Sequence, residues 1–255
     1  MKYDLYFGDC LKVMEDLIQQ DIKIDAVISD LPYNKTNLKW DKLIPFNQMW
    51  DSFNRLVSKN TPIVLFGNEP FSSALRLSNI QYYKYDIYWE KERLVNINQV
   101  KNRVGKTVEN IVVFYNKQCY YNPQMQIYNG PPRSNKVKNG TMGVLCDGNK
   151  PKKVREYKDD GLRYPTDVWK FKRDILTSNI HDTQKPVVLM EKLVKTYTKE
   201  NETILDITCG SGSTGVACRN LNRNFIGIDN DICEKDNQFK GWKWIDVTKW
   251  RIENE

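Results

Sequence analysis

Histidine is almost missing from this chain: of 255 residues, only His181 carries an imidazole. Six cysteines, at positions 10, 119, 146, 209, 218 and 233, form no C-x-x-C pair. Without clustered imidazoles or paired thiols there is no zinc or disulfide framework, so reduced thiols and no structural metal are expected. No run approaches the roughly 18 apolar residues that a membrane span requires, and MKYDLYFGDC lacks the basic, apolar and small-residue zones of a secretory signal. A soluble, cytoplasmic protein without a membrane partner is the expectation. A nucleoside-triphosphate P-loop is also excluded, since no GK[ST] follows the glycine-rich turn near residue 210.

The net charge of +7 is unevenly placed. Residues 131–173 hold twelve Lys or Arg against five acids, so this one segment carries the whole excess. Tyr157, Tyr164, Trp169 and Phe171 are interleaved with the cations. Alternating charge and aromatic rings suit a surface that meets phosphates and stacks on bases. Lys152, Lys153, Arg155, Arg163, Lys172 and Arg173 are the candidate contacts, and double-stranded DNA the candidate partner.

Short β-branched or aromatic runs bounded by turn residues predict strands at 2–7, 24–29, 62–66, 83–89, 110–115, 203–207 and 224–228. Between them apolar residues recur at helical spacing: Leu11, Met14, Leu17 and Ile18, then Phe46, Met49, Trp50, Phe53 and Val57. Pro186 opens a further helix carrying Leu189, Met190, Leu193, Val194 and Tyr197. Strands alternating with helices predict an α/β fold with a mostly parallel sheet covered on both faces. From 118 to 180 this rhythm stops, which predicts an inserted module between the two parts of a main domain, 1–117 and 181–255.

Two short strings carry the chemistry. In TILDITCGSGSTGVACRNLNRNFIGID, Gly210, Gly212 and Gly215 fit G-x-G-x-x-G, and Asp229 closes the following strand 17 residues after Gly212. Such glycines let the backbone pass close to a ligand, and an acid at the next strand end accepts ribose hydroxyl protons. NAD and S-adenosylmethionine are served equally by that arrangement. Only 26 residues follow Asp229, too few for the further βα units of a dinucleotide fold. The sheet must then be completed by N-terminal strands, which suits a circularly permuted, Rossmann-like methyltransferase. The second string is Asp30-Leu31-Pro32-Tyr33, at the carboxyl end of the strand IDAVIS, where open α/β sheets bind ligands. An adenine amine is a poor nucleophile because its lone pair is delocalised into the ring. Accepting both N–H bonds, on the Asp30 carboxylate and the Leu31 carbonyl, draws that nitrogen toward a tetrahedral shape. Pro32 restricts Leu31 to extended angles and aims its carbonyl, while Tyr33 offers a platform for the base.

With both strings in this order, the chain resembles the β class of amino-methylating DNA methyltransferases, especially small phage-type DNA adenine methylases, along almost its whole length. Further stretches look like the family's motifs in the family's order: FGDCLKVM from residue 7, KWD at 39–41, VLFGNEPFSSALR at 64–76, ENIVVFYNKQCYYNPQM at 109–125, YPTDVWKF at 164–171, HDTQKP at 181–186 and LNRNFIGID at 221–229. The resemblance implies that Asp30 to Tyr33 hold a flipped adenine. It implies that Asp206, Thr208, Gly210, Ser211, Gly212 and Ser213 surround the methionine part of S-adenosylmethionine, that Asp229 takes the ribose, and that 118–180 recognises the target. It places Asp9 beside the cofactor adenine and Lys185 near the methionine carboxylate; the plain alternatives are a helix N-cap and a surface lysine. A homodimer and a restriction endonuclease partner are both settings in which the family occurs.

The sequence departs from that pattern at Leu31, where the family has a first proline, at Asp182, Val108 and Cys209, and in ICEKDNQFKGWKW, which lacks an apolar helical rhythm and predicts a short or altered C-terminal helix. Alternatives are methylation of the cytosine N4 amine, a catalytically weakened DNA-binding member of the family, and an NAD-dependent oxidoreductase, for which no hydride-transfer residue is evident.

Overall fold

The apolar runs named above become strands because their residues are buried on alternating sides of one sheet. In the computed structural model, residues 1–35, 41–128, 130, 160–174, 180–181 and 183–255 are described. Strands β1 (Tyr3–Phe7), β2 (Ala26–Ser29), β3 (Ile63–Gly67), β4 (Tyr83–Glu90), β5 (Val108–Phe114), β8 (Val168–Lys170), β9 (Thr203–Asp206) and β10 (Asn224–Asp229) form an eight-stranded sheet in the order β1-β10-β9-β2-β3-β5-β4-β8. Neighbours pair in parallel except at β5, which runs against β3 and β4. Two further strands, β6 (Gln126–Ile127) and β7 (Leu162–Arg163), pair antiparallel on their own.

Alternation along the strands builds two cores. Ala26 and Ile28 of β2, Val64 and Phe66 of β3 and Ile111 and Val113 of β5 share a core with helices α4 (Val187–Tyr197), α5 (Ser213–Asn220) and α6 (Trp244–Asn254). Val27, Leu65, Val112 and Phe114 share the other with α1 (Cys10–Gln19), α2 (Phe46–Leu56) and α3 (Phe71–Ser78). Burying each large apolar side chain is worth about 1.5–3 kcal/mol, which is what holds helices on both faces. The mostly parallel sheet is therefore as expected. β8 is not among the expected strands: its three residues are too few to give a periodic signal, and it is recruited by parallel pairing with Tyr88, Trp89 and Glu90.

The described residues divide into two units, Met1–Asn122 with Thr166–Glu255, and Pro123–Pro165. In the smaller one, β6 pairs with β7 and the Arg163 guanidinium lies 4.3 Å from the Tyr128 ring centre.

Past Asp229 the stretch without apolar rhythm, residues 230–243, forms no helix, and the C-terminal helix that follows it is not short, running for 11 residues. The chain turns through a small apolar cluster of Cys233, Phe239, Trp244 and Val247, with α6 beginning at Trp244. Among the described residues no helix is long and apolar enough to cross a membrane, and no group of His, Cys, Asp and Glu could hold a metal ion.

Candidate active site

All parallel strands end on one edge of the sheet, and the antiparallel β5 begins there. That edge gathers Asp30 after β2, Lys91 after β4, Glu109 at the start of β5, Thr208 after β9 and Asp229 at the end of β10. One cleft of about 460 Å³ is lined by Asp30, Tyr33, Lys185, Asp206, Gly210 and Asp229, among others. This volume falls within the range of small-molecule sites.

The two strings are tied together directly. Thr208 Oγ1 donates to the Asp30 backbone carbonyl at 2.9 Å across 178 residues of sequence. Ser29 Oγ donates to Asp206 Oδ1 at 2.7 Å and lies 2.9 Å from Thr208 Oγ1. Thr214 Oγ1 donates to Asp206 Oδ2 at 2.6 Å, so both Asp206 oxygens are engaged in holding the glycine turn to β2. Gly212 adopts φ 80°, and a Cβ there would meet Thr248 at 2.6 Å; Gly215 lets α5 close onto Phe225 and Ile252. Helix α6 secures the same turn from outside: Thr248 Oγ1 donates to the Gly210 carbonyl at 2.9 Å and Arg251 Nη1 to the Ser211 carbonyl at 2.8 Å.

On the other wall, Leu31 buries its side chain in the α1–α3 core, which fixes the loop where the family's proline is lacking. Asp41, nearly buried, accepts three successive backbone N–H groups, from Tyr33 at 2.8 Å and from Asn34 and Lys35 at 2.7 Å each. The Tyr33 ring packs on Phe71 at 4.9 Å; its hydroxyl donates to Asp30 Oδ1 at 2.5 Å and lies 3.2 Å from Glu109 Oε1. Lys185 is buried with its ammonium between Asp30 Oδ2 and Glu109 Oε1, the latter at 3.1 Å. Lys91 Nζ takes the other Glu109 oxygen at 2.5 Å.

Charge in this nest is unevenly shared. Burial pushes the Asp30 carboxyl up; Lys185 pulls it down, Glu109 pushes it up again, and the net direction is upward. Burial also works against Glu109, but Lys185 and Lys91 outweigh it and draw it down to about 2. Lys185 keeps its charge against burial because two carboxylates face it. Across the cleft, burial raises Asp206 and Asp229 to about 6 despite the hydrogen bonds each accepts. Burial likewise holds the Cys209 thiol well above its ordinary value, so no thiolate nucleophile is available from it.

The structure thus brings together Asp30 to Tyr33, Lys185, Asp206, Thr208, Gly210, Ser211, Ser213 and Asp229 around one cleft. Gly212 caps α5 behind them. Asp9 is not in the lining: its carboxylate caps α1, accepting from Leu11 N and Lys12 N. Arg173 lines the cleft and pairs with Glu92 at 3.3 Å, Lys172 is exposed, and Arg163 belongs to the smaller unit. Lys152, Lys153, Arg155 and Asp182 lie outside the described residues. Glu109, Lys91, Ser29, Thr248 and Arg251 are site residues that sequence reading misses. A serine closing an otherwise apolar strand and a glutamate opening the run ENIVVF are the available signals.

Comparison with known proteins gives one answer. A profile described as DNA methylase, for the N6/N4 methyltransferases, matches residues 24–240. The type II methyltransferase M2.LlaDCHI of Lactococcus lactis subsp. cremoris is 26% identical over 252 residues, covering 89% of this chain and 84% of that protein. The type II methyltransferase M1.MboII of Moraxella bovis is 25% identical over 242 residues, covering 87% and 89%. Among solved structures, the M1.HpyAVI–SAM complex superposes with a TM-score of 0.63 at 25% identity, covering 98% of both chains. The cytosine-N4-specific PvuII DNA methyltransferase gives 0.63 at 15% identity, covering 100% of this chain and 94% of that one, a likeness of fold.

Proposed function

This chain belongs to the N6/N4 DNA methylase family and uses S-adenosylmethionine, and from that premise we propose that it methylates the N6 amine of adenine in double-stranded DNA, after the base is turned out of the helix. The observation that carries this reading is the bond from Thr208 to the Asp30 carbonyl, which sets the amine-accepting loop against the glycine turn within one cleft.

The residues lining the cleft fit the cofactor. Asp229 presents a carboxylate held by Gly210 N and Asp231 N, both at 2.9 Å, where a ribose diol would be accepted, and the turn from Thr208 to Ser213 would hold the methionine part. Bound there, S-adenosylmethionine supplies an electrophilic sulfonium methyl. The chain's own task is to make a weak nucleophile attack it. Asp30 accepts one N–H of the amine and the Leu31 carbonyl the other, so the lone pair localises on nitrogen. Transfer of the methyl from sulfur to that nitrogen would leave the amine cationic, with a proton to shed. Asp30 suits that proton because burial has already raised its carboxyl. Lys185 must release Asp30 when the amine arrives, and Glu109 stands beside it to keep the ammonium paired.

Residues 118–180 are proposed to read the target sequence, within a permuted β-class arrangement, and a dimer or an endonuclease partner would fit the type II relatives. In the family this chain resembles, Asp at the first tetrad position accompanies adenine and Ser the cytosine amine. Mass spectrometry of nucleosides from plasmid DNA treated with the enzyme is expected to give N6-methyladenine. N4-methylcytosine would move the chain to the other branch, and no methylated base would leave only DNA binding.

A pH dependence follows from Asp229. Its folded pKa of about 6 lies above the value of roughly 3.9 in an unfolded chain. Asp206 is raised in the same way, so both carboxyls contribute stability at low pH that is lost as pH rises through about 6. Cofactor binding runs the other way, because the ionised Asp229 accepts the diol. S-adenosylmethionine affinity by calorimetry is expected to be flat above about pH 7 and to fall by up to about tenfold per unit below about pH 6. A flat profile down to about pH 5 would remove Asp229 from the ribose site.

A further inference from the structure

The segment joining β4 to β5, residues 91–107, stands on the same sheet edge as Asp30 and has an uncommon surface. It carries Lys91, Arg93, Lys101, Arg103 and Lys106 against the single acid Glu92. Ile97 and Val104 are 69% and 90% exposed among these cations. The segment is nevertheless built: Val95 N donates to the Lys106 carbonyl at 2.9 Å, Lys106 N to Asn96 Oδ1 at 2.7 Å and Asn96 Nδ2 to the Val104 carbonyl at 3.2 Å.

Between this segment and the amine-binding loop runs a groove of about 390 Å³, bounded by Lys35, Asn68, Glu69, Asn96, Arg103 and Lys106. It shares Lys35, Asn68 and Val95 with the catalytic cleft, so the two adjoin. Lys35 follows Tyr33 closely; its ammonium lies 5.9 Å from the Tyr33 ring centre and donates to the Glu69 backbone carbonyl. Arg103 likewise donates to a neutral group, the Gln99 side-chain oxygen. Glu69 is the acid in the groove lining, and its carboxylate is already taken by Ser73 and by Arg76 at 3.1 Å. Among the described residues, then, none of Lys35, Arg103 and Lys106 is held in an ion pair. Partial burial pushes Lys35 and Lys106 below the ordinary lysine value; Lys106 adds to the push on Lys35 against pulls from Glu69, Glu109 and Asp41, while Glu109 and Glu69 oppose the push on Lys106 and Lys91 adds to it. An anion in the groove would relieve both.

Resting on the methylation reading, we propose that this groove is a phosphate subsite in which Lys35, Arg103 and Lys106 grip the phosphodiesters flanking the nucleotide turned into the cleft. The backbone of an extruded nucleotide has to leave the cleft at its mouth, which is where these cations stand. Exposed Ile97 and Val104 then meet the deoxyribose and base faces of the same strand.

Arg103→Gln with Lys106→Gln removes two of the cations and leaves Asp30 and the glycine turn in place. Binding to unmethylated plasmid fragments, titrated over a salt series, is expected to show a log K against log salt slope shallower by about 1.8, at roughly 0.9 per lost phosphate contact. S-adenosylmethionine affinity should match the parent. Arg103→Lys with Lys106→Arg keeps the charge and should keep the slope. Lys59→Gln with Lys117→Gln removes equal charge at the opposite ends of β3 and β5, and should also leave the slope at the parental value. An unchanged slope in the first variant, or an equal fall in the Lys59 and Lys117 variant, would overturn the subsite. A parent enzyme that methylates no DNA would instead sink the methylation reading, and the slopes would still decide the groove.

Discussion

Asp30→Ala is expected to lower methyl incorporation into plasmid DNA by about a thousandfold, at the upper end of what removal of one preorganised polar contact costs an enzyme. The carboxylate is the acceptor that localises the amine lone pair, and with it goes the group placed to take the departing proton. Binding of S-adenosylmethionine should persist, because the Asp30 side chain bonds to Tyr33 and Lys185, while its backbone carbonyl, which survives the substitution, is what meets Thr208. Asp30→Asn separates charge from shape: an amide oxygen still accepts one N–H bond but takes no proton. Its rate should fall between those of the parent and the alanine variant. Single-turnover incorporation of labelled methyl, alongside calorimetry with the cofactor, reads both effects. Turnover within about tenfold of the parent in the alanine variant would remove Asp30 from the reaction.

Glu109→Ala should produce the largest loss of stability, about 3–5 kcal/mol, because it leaves two ammonium groups facing a buried space with a single carboxylate between them. Against a total of about 5–15 kcal/mol for a typical domain, that is enough to threaten the fold. Glu109→Gln retains the shape and an acceptor oxygen and should cost less. In either variant Lys185 loses its second carboxylate, and its ammonium then competes more strongly with the incoming amine for Asp30. Activity should therefore fall even under conditions where the variant is folded. Urea unfolding followed by tryptophan fluorescence measures the first effect. A loss below about 1 kcal/mol in the alanine variant would mean that water already satisfies these charges.

The strands carrying the site are readable because they are short, apolar and edged by turn residues, and the glycine turn and the tetrad are readable because their chemistry is local. What cannot be read depends on encounters between distant segments. Asp41 is visible only as the end of KWD; nothing local shows that its carboxylate collects three N–H groups, from Tyr33, Asn34 and Lys35. Glu109 stands near the start of an apolar strand, and its partners come from just after β4 and from the segment before α4. Thr248 and Arg251 lie beyond a stretch without helical rhythm, so nothing local links them to the glycine turn. Asp9 shows the converse: a motif position whose carboxylate is spent on its own helix.

The grip of Asp41 on the tetrad loop has a kinetic meaning. Three consecutive amides anchored to one side chain leave the loop little freedom to surrender when a nucleotide arrives, so the entropy of ordering it is settled during folding and not at each encounter with substrate. Loosening that anchor would make every turnover begin with a search for the reactive loop geometry.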